Sequence, residues 1–148
     1  MKKVLFVCHG NICRSASAEF IFNDLITKNH LENILHCESR AASTEEIGND
    51  LYAPMRPYLI KRGIPLYRHY AKQITKSDYD EYDLILAFDD YNIRLMSYRI
   101  NDKEHKIHLL TEYVGETGII DDPWYTREFD KCLDDITRCC EKLINLVK

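Results

Sequence analysis

Short apolar runs alternate with amphipathic stretches along this chain. Val4, Leu5, Phe6 and Val7 form an unbroken apolar run that reads as a buried strand. Behind it, Ala18, Phe20, Ile21 and Leu25 share one face of a helix expected from about Ser15 to Asn29. A second strand is expected over about Ile34–Glu38. The stretch STEEIGND has the pattern of a capping box, with a turn at Gly48 and Asn49. A helix should follow from about Leu51 to Arg62, disturbed early by Pro54 and Pro57 and ended by Gly63 and Pro65. KSDYDEY gives a polar helical turn and YDLILAFD another strongly apolar strand, then come a helix over about Asp90–Tyr98 and the short strand KIHLL. Finally, Phe129, Cys132, Leu133, Ile136, Cys140, Leu143, Ile144 and Val147 recur at helical spacing, which predicts a C-terminal amphipathic helix.

Strands alternating with helices, without linker or internal repeat, predict one α/β domain in which a small parallel sheet is covered by helices on both faces. Ligands of such sheets bind beyond the carboxyl ends of the strands. The turn after the first strand lies at that edge.

Length and composition narrow the reading. A chain of 148 residues is enough for one domain with a sizeable core, and 45% hydrophobic with 30% charged residues is an ordinary globular balance. A formal net charge of −4 argues against a general nucleic-acid binder. No apolar run reaches the roughly 18 residues a membrane span needs. Lys2 and Lys3 precede an apolar segment too short for a signal peptide, so a cytoplasmic protein is expected. Six cysteines without a secretory signal read as reduced thiols rather than a disulfide framework. Cys8 and Cys13 have no partner pair at zinc-ribbon spacing, so neither metal nor cofactor is expected.

The loop CHGNICRS holds the densest chemistry. The helix that follows Arg14 aims its N-terminus, with unsatisfied N–H groups and about half a positive charge, back at this loop. Gly10 and Asn11 best tolerate positive φ, so the backbone can curl its amides into an anion cradle. Arg14 can grip two phosphate oxygens with its planar fork, and the same field favours a thiolate on Cys8. Ser15 can donate a hydrogen bond to that sulfur. This loop has no Lys-Ser/Thr pair, so it is not a nucleoside-triphosphate loop. These features predict a cysteine nucleophile that attacks bound phosphate.

With that chemistry assembled, VCHGNICRS together with DDPWY far downstream resembles the low-molecular-weight protein tyrosine phosphatases. EEIGN, KRGIP, HYAKQIT and YDLILAFDD extend the resemblance over nearly the whole chain. It implies a four-stranded parallel sheet and a phosphocysteine mechanism acting on phosphotyrosine proteins or peptides and small aryl phosphates, with inorganic phosphate as product. By this resemblance Cys8 is the nucleophile, Arg14 the phosphate clamp and Asp122, directly before Pro123, the general acid and base. Asp121 competes for the last role, in which a positioned acid contributes about 10²–10⁴-fold to expulsion of a phenolate. The amides of His9, Gly10, Asn11, Ile12, Cys13 and Ser15 would line the cradle, and Ser39 and His69 would hold Asn11. Cys13 would protect Cys8 by forming a disulfide with it. The protein is expected to be a monomer.

Other residues read more plainly. His108 is expected to be a satisfied core or sheet-end histidine rather than a catalytic group, while Cys132, Cys139 and Cys140 are expected in the core. Trp124 and Tyr125 should flank the pocket mouth, where they can sandwich a phenyl ring. Two departures from the family pattern concern specificity: Glu45 replaces an aromatic wall, and His9 fills the variable position beside the nucleophile. Glu45, Glu46 and Asp89 would then make the rim acidic. Arsenate reductases of the same fold need further cysteines after the third strand, and AFDDYNIRLMSYRINDKEHK has none. Arginine phosphatases carry Thr where Ile12 stands, and the bulkier Ile12 favours phosphotyrosine. A phosphate-binding module without turnover would not need the set Cys8, Arg14 and Asp122.

Overall fold

The computed structural model describes all of residues 1–148. Four parallel strands, β1 (Lys2–Cys8), β2 (Leu35–Ala41), β3 (Leu84–Ala87) and β4 (Ile107–Leu109), form one sheet in the order β2-β1-β3-β4. β1 sits centrally because both of its faces are apolar. Val4, Phe6 and Cys8 point into one core and Leu5 and Val7 into the other, and all five are buried. β3 repeats this alternation, with Leu84 and Leu86 on the first side and Ile85 and Ala87 on the second. Seven helices surround the sheet: α1 (Arg14–Lys28), α2 (Arg56–Lys61), α3 (Lys76–Glu81), α4 (Asp90–Ser97), α5 (Leu110–Tyr113), α6 (Pro123–Thr126) and α7 (Phe129–Val147).

α1 and α7 close the larger core. Phe6 meets Phe22 of α1 edge-on at 5.7 Å, and the expected apolar face of α7 is buried from Phe129 to Val147. Each such large side chain contributes about 1.5–3 kcal/mol on full burial. On the other face, Tyr79, Tyr82 and Met96, from α3, its C-terminal flank and α4, cover Leu5, Val7 and Ile85.

The strands and the long helices follow the sequence expectation within a few residues, and three local features depart from it. STEEIGND forms turns and no helix. Ser43 Oγ donates to the His9 carbonyl at 2.8 Å and accepts from Glu45 N at 3.4 Å, so its hydroxyl ties this segment to the loop after β1. The capping boxes are Thr75/Asp78 on α3 and Asp89/Asn92 on α4. The expected helix over Leu51–Arg62 is split into a 3-10 turn at Ala53–Met55 and the short α2, as the two prolines require. α5 and α6, four residues each, are too short for a periodicity to register.

Candidate active site

The loop between β1 and α1 lies at the carboxyl edge of the sheet, where the sequence places it. The backbone N–H groups of His9 through Cys13 donate to no atom of the protein. The helix behind them has no side-chain cap, so its positive end also faces the loop. An anion with several oxygens satisfies both at once.

Asn11 sets the loop's curvature. Its φ is +62°, and its side chain is wholly buried. The Nδ2 group donates to Ser15 Oγ at 2.8 Å and to Ser39 Oγ at 2.9 Å, while Oδ1 accepts from Lys72 N at 3.1 Å. His69 Nε2 donates to the Asn11 carbonyl at 2.5 Å. Together these bonds offset the cost of a left-handed non-glycine residue. Glu19, which the sequence reading did not single out, extends the network: Ser39 Oγ donates to its Oε1 at 2.7 Å, and Tyr67 donates to its Oε2. Its only sequence signal was a carboxylate inside an apolar helix face. Gly10 does not adopt positive φ. A Cβ there would lie 3.2 Å from Glu46 Cγ, so close packing, not conformation, favours glycine.

Cys8 is 3% exposed, at the floor of a pocket of about 160 Å³. Its Sγ lies 3.1 Å from Ser15 Oγ and 3.4 Å from Ser15 N. Because Asn11 donates into Ser15 Oγ, the hydroxyl hydrogen of Ser15 can turn either to the sulfur or to the Arg40 carbonyl at 3.4 Å, and a thiolate is the stronger acceptor. A thiolate there is met by two donors from one residue. Cys13, 6% exposed, belongs to the same buried cluster as Cys8 and Cys132, and all six cysteines are free thiols. Burial, followed by the nearby charges of Cys132 and Cys8, pushes the Cys13 thiol well up, and burial likewise pushes Cys132 up to about 12.

Arg14 is 2% exposed, and its partners leave one edge available. Nη1 donates at 2.8 Å both to Asp89 Oδ2 and to the Ile120 carbonyl, which uses both of its hydrogens. Nη2 reaches Asp122 Oδ2 at 3.5 Å, and Nε has no protein acceptor. The Nε–Nη2 edge is the pair that grips two oxygens of a tetrahedral anion. Burial works against the charge on Arg14, but Cys8, Asp122 and Asp89 outweigh it and hold the guanidinium pKa above its ordinary value.

The pocket wall gathers His9, Ile12, Glu45, Glu46, Asp122, Trp124 and Tyr125 with Cys8 and Arg14. Asp122 caps α6 by accepting from Trp124 N at 3.0 Å through Oδ1, which leaves Oδ2 toward Arg14. Asp121 does not line this pocket. Asp89, expected at the rim, instead stands behind Arg14 as its ion-pair partner, because its position as the N-cap of α4 fixes it there. Buried Asn92 completes that cap, its Oδ1 accepting from Asp89 N at 3.3 Å and also from Phe88 N at 3.1 Å. Glu45 is not a free rim charge either: it is bound to His9 Nε2. Two aromatic partners escaped the sequence reading. Tyr52 packs on Trp124 at 4.9 Å, and Tyr91 stacks on His9 at 5.8 Å. Their only signal was an aromatic residue beside a proline-rich turn and another near a helix start. His108 lies in β4 at the sheet edge, with Nε2 donating to the His105 carbonyl at 3.0 Å, as expected of a sheet-end histidine.

A Cys-x5-Arg loop between a central parallel strand and a helix N-terminus marks the cysteine-dependent protein tyrosine phosphatases, and that is the class this fold and site define. Within it, the family profile described as low molecular weight phosphotyrosine protein phosphatase matches residues 3–148. The chain is 39% identical over 150 residues to the low molecular weight phosphotyrosine protein phosphatase of Gallus gallus, covering 97% of this chain and 94% of that protein. The Homo sapiens protein of the same name is 37% identical over 149 residues, with coverage of 97% and 94%. The crystal structure of YfkJ from Bacillus subtilis superimposes with a TM-score of 0.93 at 34% identity, covering 99% of this chain and 94% of that one. The chain belongs to the low molecular weight protein tyrosine phosphatase family.

Proposed function

We propose that this protein hydrolyses phosphotyrosine in proteins and peptides, and small aryl phosphates, through a covalent phosphocysteine on Cys8. The Cys8 thiolate attacks phosphorus while the bond to the phenolic oxygen breaks, and Asp122 delivers its proton to that oxygen. Water then attacks phosphorus with Asp122 taking its proton, the P–S bond breaks, and inorganic phosphate leaves. The free N–H groups of His9 through Cys13 and the Nε–Nη2 edge of Arg14 stabilise the phosphoryl oxygens in both steps. The single observation that carries this reading is that run of unclaimed amides directly after Cys8.

Pocket depth favours tyrosine. Cys8 lies at the floor while Trp124 and Tyr125 stand exposed at the mouth, so the phosphate must arrive on a long, flat stem. A phenyl ring supplies that reach and stacks there, whereas a serine side chain is too short. Ile12 contributes an apolar wall, which suits a ring better than a guanidinium. Six free thiols, all buried, fit a reducing compartment, and the reading places a monomeric enzyme in the cytoplasm. Cys13 takes the role of a resolving thiol. A Cys8 sulfenic acid formed by peroxide condenses with it to a disulfide and releases water.

The test is hydrolysis of three matched peptides carrying phosphotyrosine, phosphoserine or phosphoarginine, followed by phosphate release. The phosphotyrosine peptide should be hydrolysed with the highest kcat/KM by a wide margin. Preference for phosphoarginine or phosphoserine would contradict the assignment. Arg14→Lys should lower kcat/KM on an aryl phosphate by about 10²–10³-fold, the loss typical of a missing oxyanion donor. A point charge cannot hold Asp89, the Ile120 carbonyl and two phosphate oxygens together. A lysine variant with near-parental rate would remove the clamp from the mechanism.

A further inference from the structure

A second hollow, of about 540 Å³, lies beside the catalytic pocket and shares part of its wall with it. His9, Arg14, Glu45, Asp122 and Tyr125 belong to both, so the hollow is continuous with the catalytic pocket. Its apolar lining adds Tyr91, stacked on His9, and Ile119, both about half exposed. The charges around it are unevenly satisfied. Glu45 is bound by His9, and both Asp89 and Asp122 face Arg14 at 2.8 and 3.5 Å. Asp121 alone has no ion pair. Lys131, which feels the charge of Asp121, is itself held by Asp135 at 3.2 Å.

We infer that this hollow is a substrate subsite that takes a basic residue, arginine or lysine, flanking the phosphotyrosine. The inference rests on the phosphotyrosine reading above. Two features of the hollow fit one occupant. Continuity with the catalytic pocket puts the hollow within reach of the residue next to the phosphotyrosine. Its chemistry then matches a long cationic side chain: Tyr91 and Ile119 cover the aliphatic stem, and Asp121 meets the charge at its tip. A guanidinium can also lie against the exposed Tyr91 or Tyr125 ring. Within this hollow the charge-based preference for a basic flank is assigned to Asp121, while Glu45 is engaged by His9.

The experiment uses three phosphotyrosine peptides identical except at the two positions flanking the phosphotyrosine, which hold arginine, norleucine or glutamate. At low salt the arginine peptide should exceed the glutamate peptide by about two- to five-fold in kcat/KM, the range typical of an exposed charge pair. Added salt should shrink that ratio, because screening acts on exposed charges. Norleucine should fall between the two, since it keeps the stem and lacks the charge. In Asp121→Asn the advantage of arginine over norleucine should vanish, and in Asp121→Lys glutamate should lead. An arginine preference that is unchanged in Asp121→Asn, or equal rates on all three peptides, overturns the subsite while leaving the phosphatase reading intact. Hydrolysis of none of the peptides by the parent protein overturns both.

Discussion

Cys8→Ser is expected to lower turnover of an aryl phosphate by about 10⁴-fold or more while leaving phosphate and vanadate binding measurable. The substitution removes the nucleophile and little else. Ser15 still donates at that position, Asn11 still fixes the loop, and the unclaimed amides of His9 through Cys13 still face an anion. Arg14 keeps its contacts to Asp89 and the Ile120 carbonyl, because neither involves the sulfur. Binding and chemistry should therefore separate. Steady-state kinetics and calorimetric titration with vanadate check the two halves. Substantial turnover by pure Cys8→Ser protein would exclude this sulfur as the nucleophile, and loss of vanadate binding would show that the sulfur shapes the cradle itself.

The second large effect separates two adjacent carboxylates. A general acid matters most when the leaving group is poor, so its removal should slow phenyl phosphate by about 10²–10⁴-fold and an activated nitrophenyl phosphate far less. Asp122→Asn should steepen the dependence of rate on leaving-group pKa in this way. Asp121→Asn should keep the parental slope. The structural reason is position: Asp122 shares the pocket with Cys8 and Arg14, whereas Asp121 opens onto the neighbouring hollow. Asparagine at position 122 can still accept from Trp124 N, so the start of α6 should survive. A steeper slope in Asp121→Asn with an unchanged one in Asp122→Asn would transfer the acid to Asp121.

The sequence carried the central part of this structure because its signals there are strong and local. β1 and β3 hold unbroken apolar runs of only four or five residues, short enough to mark strands buried on both faces rather than helices. α7 spans five turns of clear periodicity. The loop could be read because Cys8, Gly10, Asn11, Arg14 and Ser15 lie within eight residues, so one segment holds nucleophile, cradle and clamp. What escaped the reading depends on contacts between distant segments. Asp89 appeared to belong at the rim, yet as the N-cap of α4 it turns toward Arg14, 75 residues away in sequence. Glu45 looked like a free charge until β2 brought it beside His9, and Glu19 gained its role only when Ser39 and Tyr67 closed on it. STEEIGND failed for another reason. A capping pattern is a local preference, and here Ser43 Oγ accepts from Glu45 N, two residues on, while donating to the His9 carbonyl.

The most direct measurement is rapid acid quenching of the enzyme during turnover of an activated nitrophenyl phosphate, followed by proteolysis and mass spectrometry. Asp122→Asn protein serves best, since loss of the base slows hydrolysis of the intermediate and an activated substrate still loads it. The expected result is one phosphoryl group on the peptide that contains Cys8, appearing in a burst with the phenol and decaying as phosphate is released. Steady turnover with no phosphorylated enzyme at any time, or a phosphoryl group on a residue other than Cys8, would contradict the mechanism.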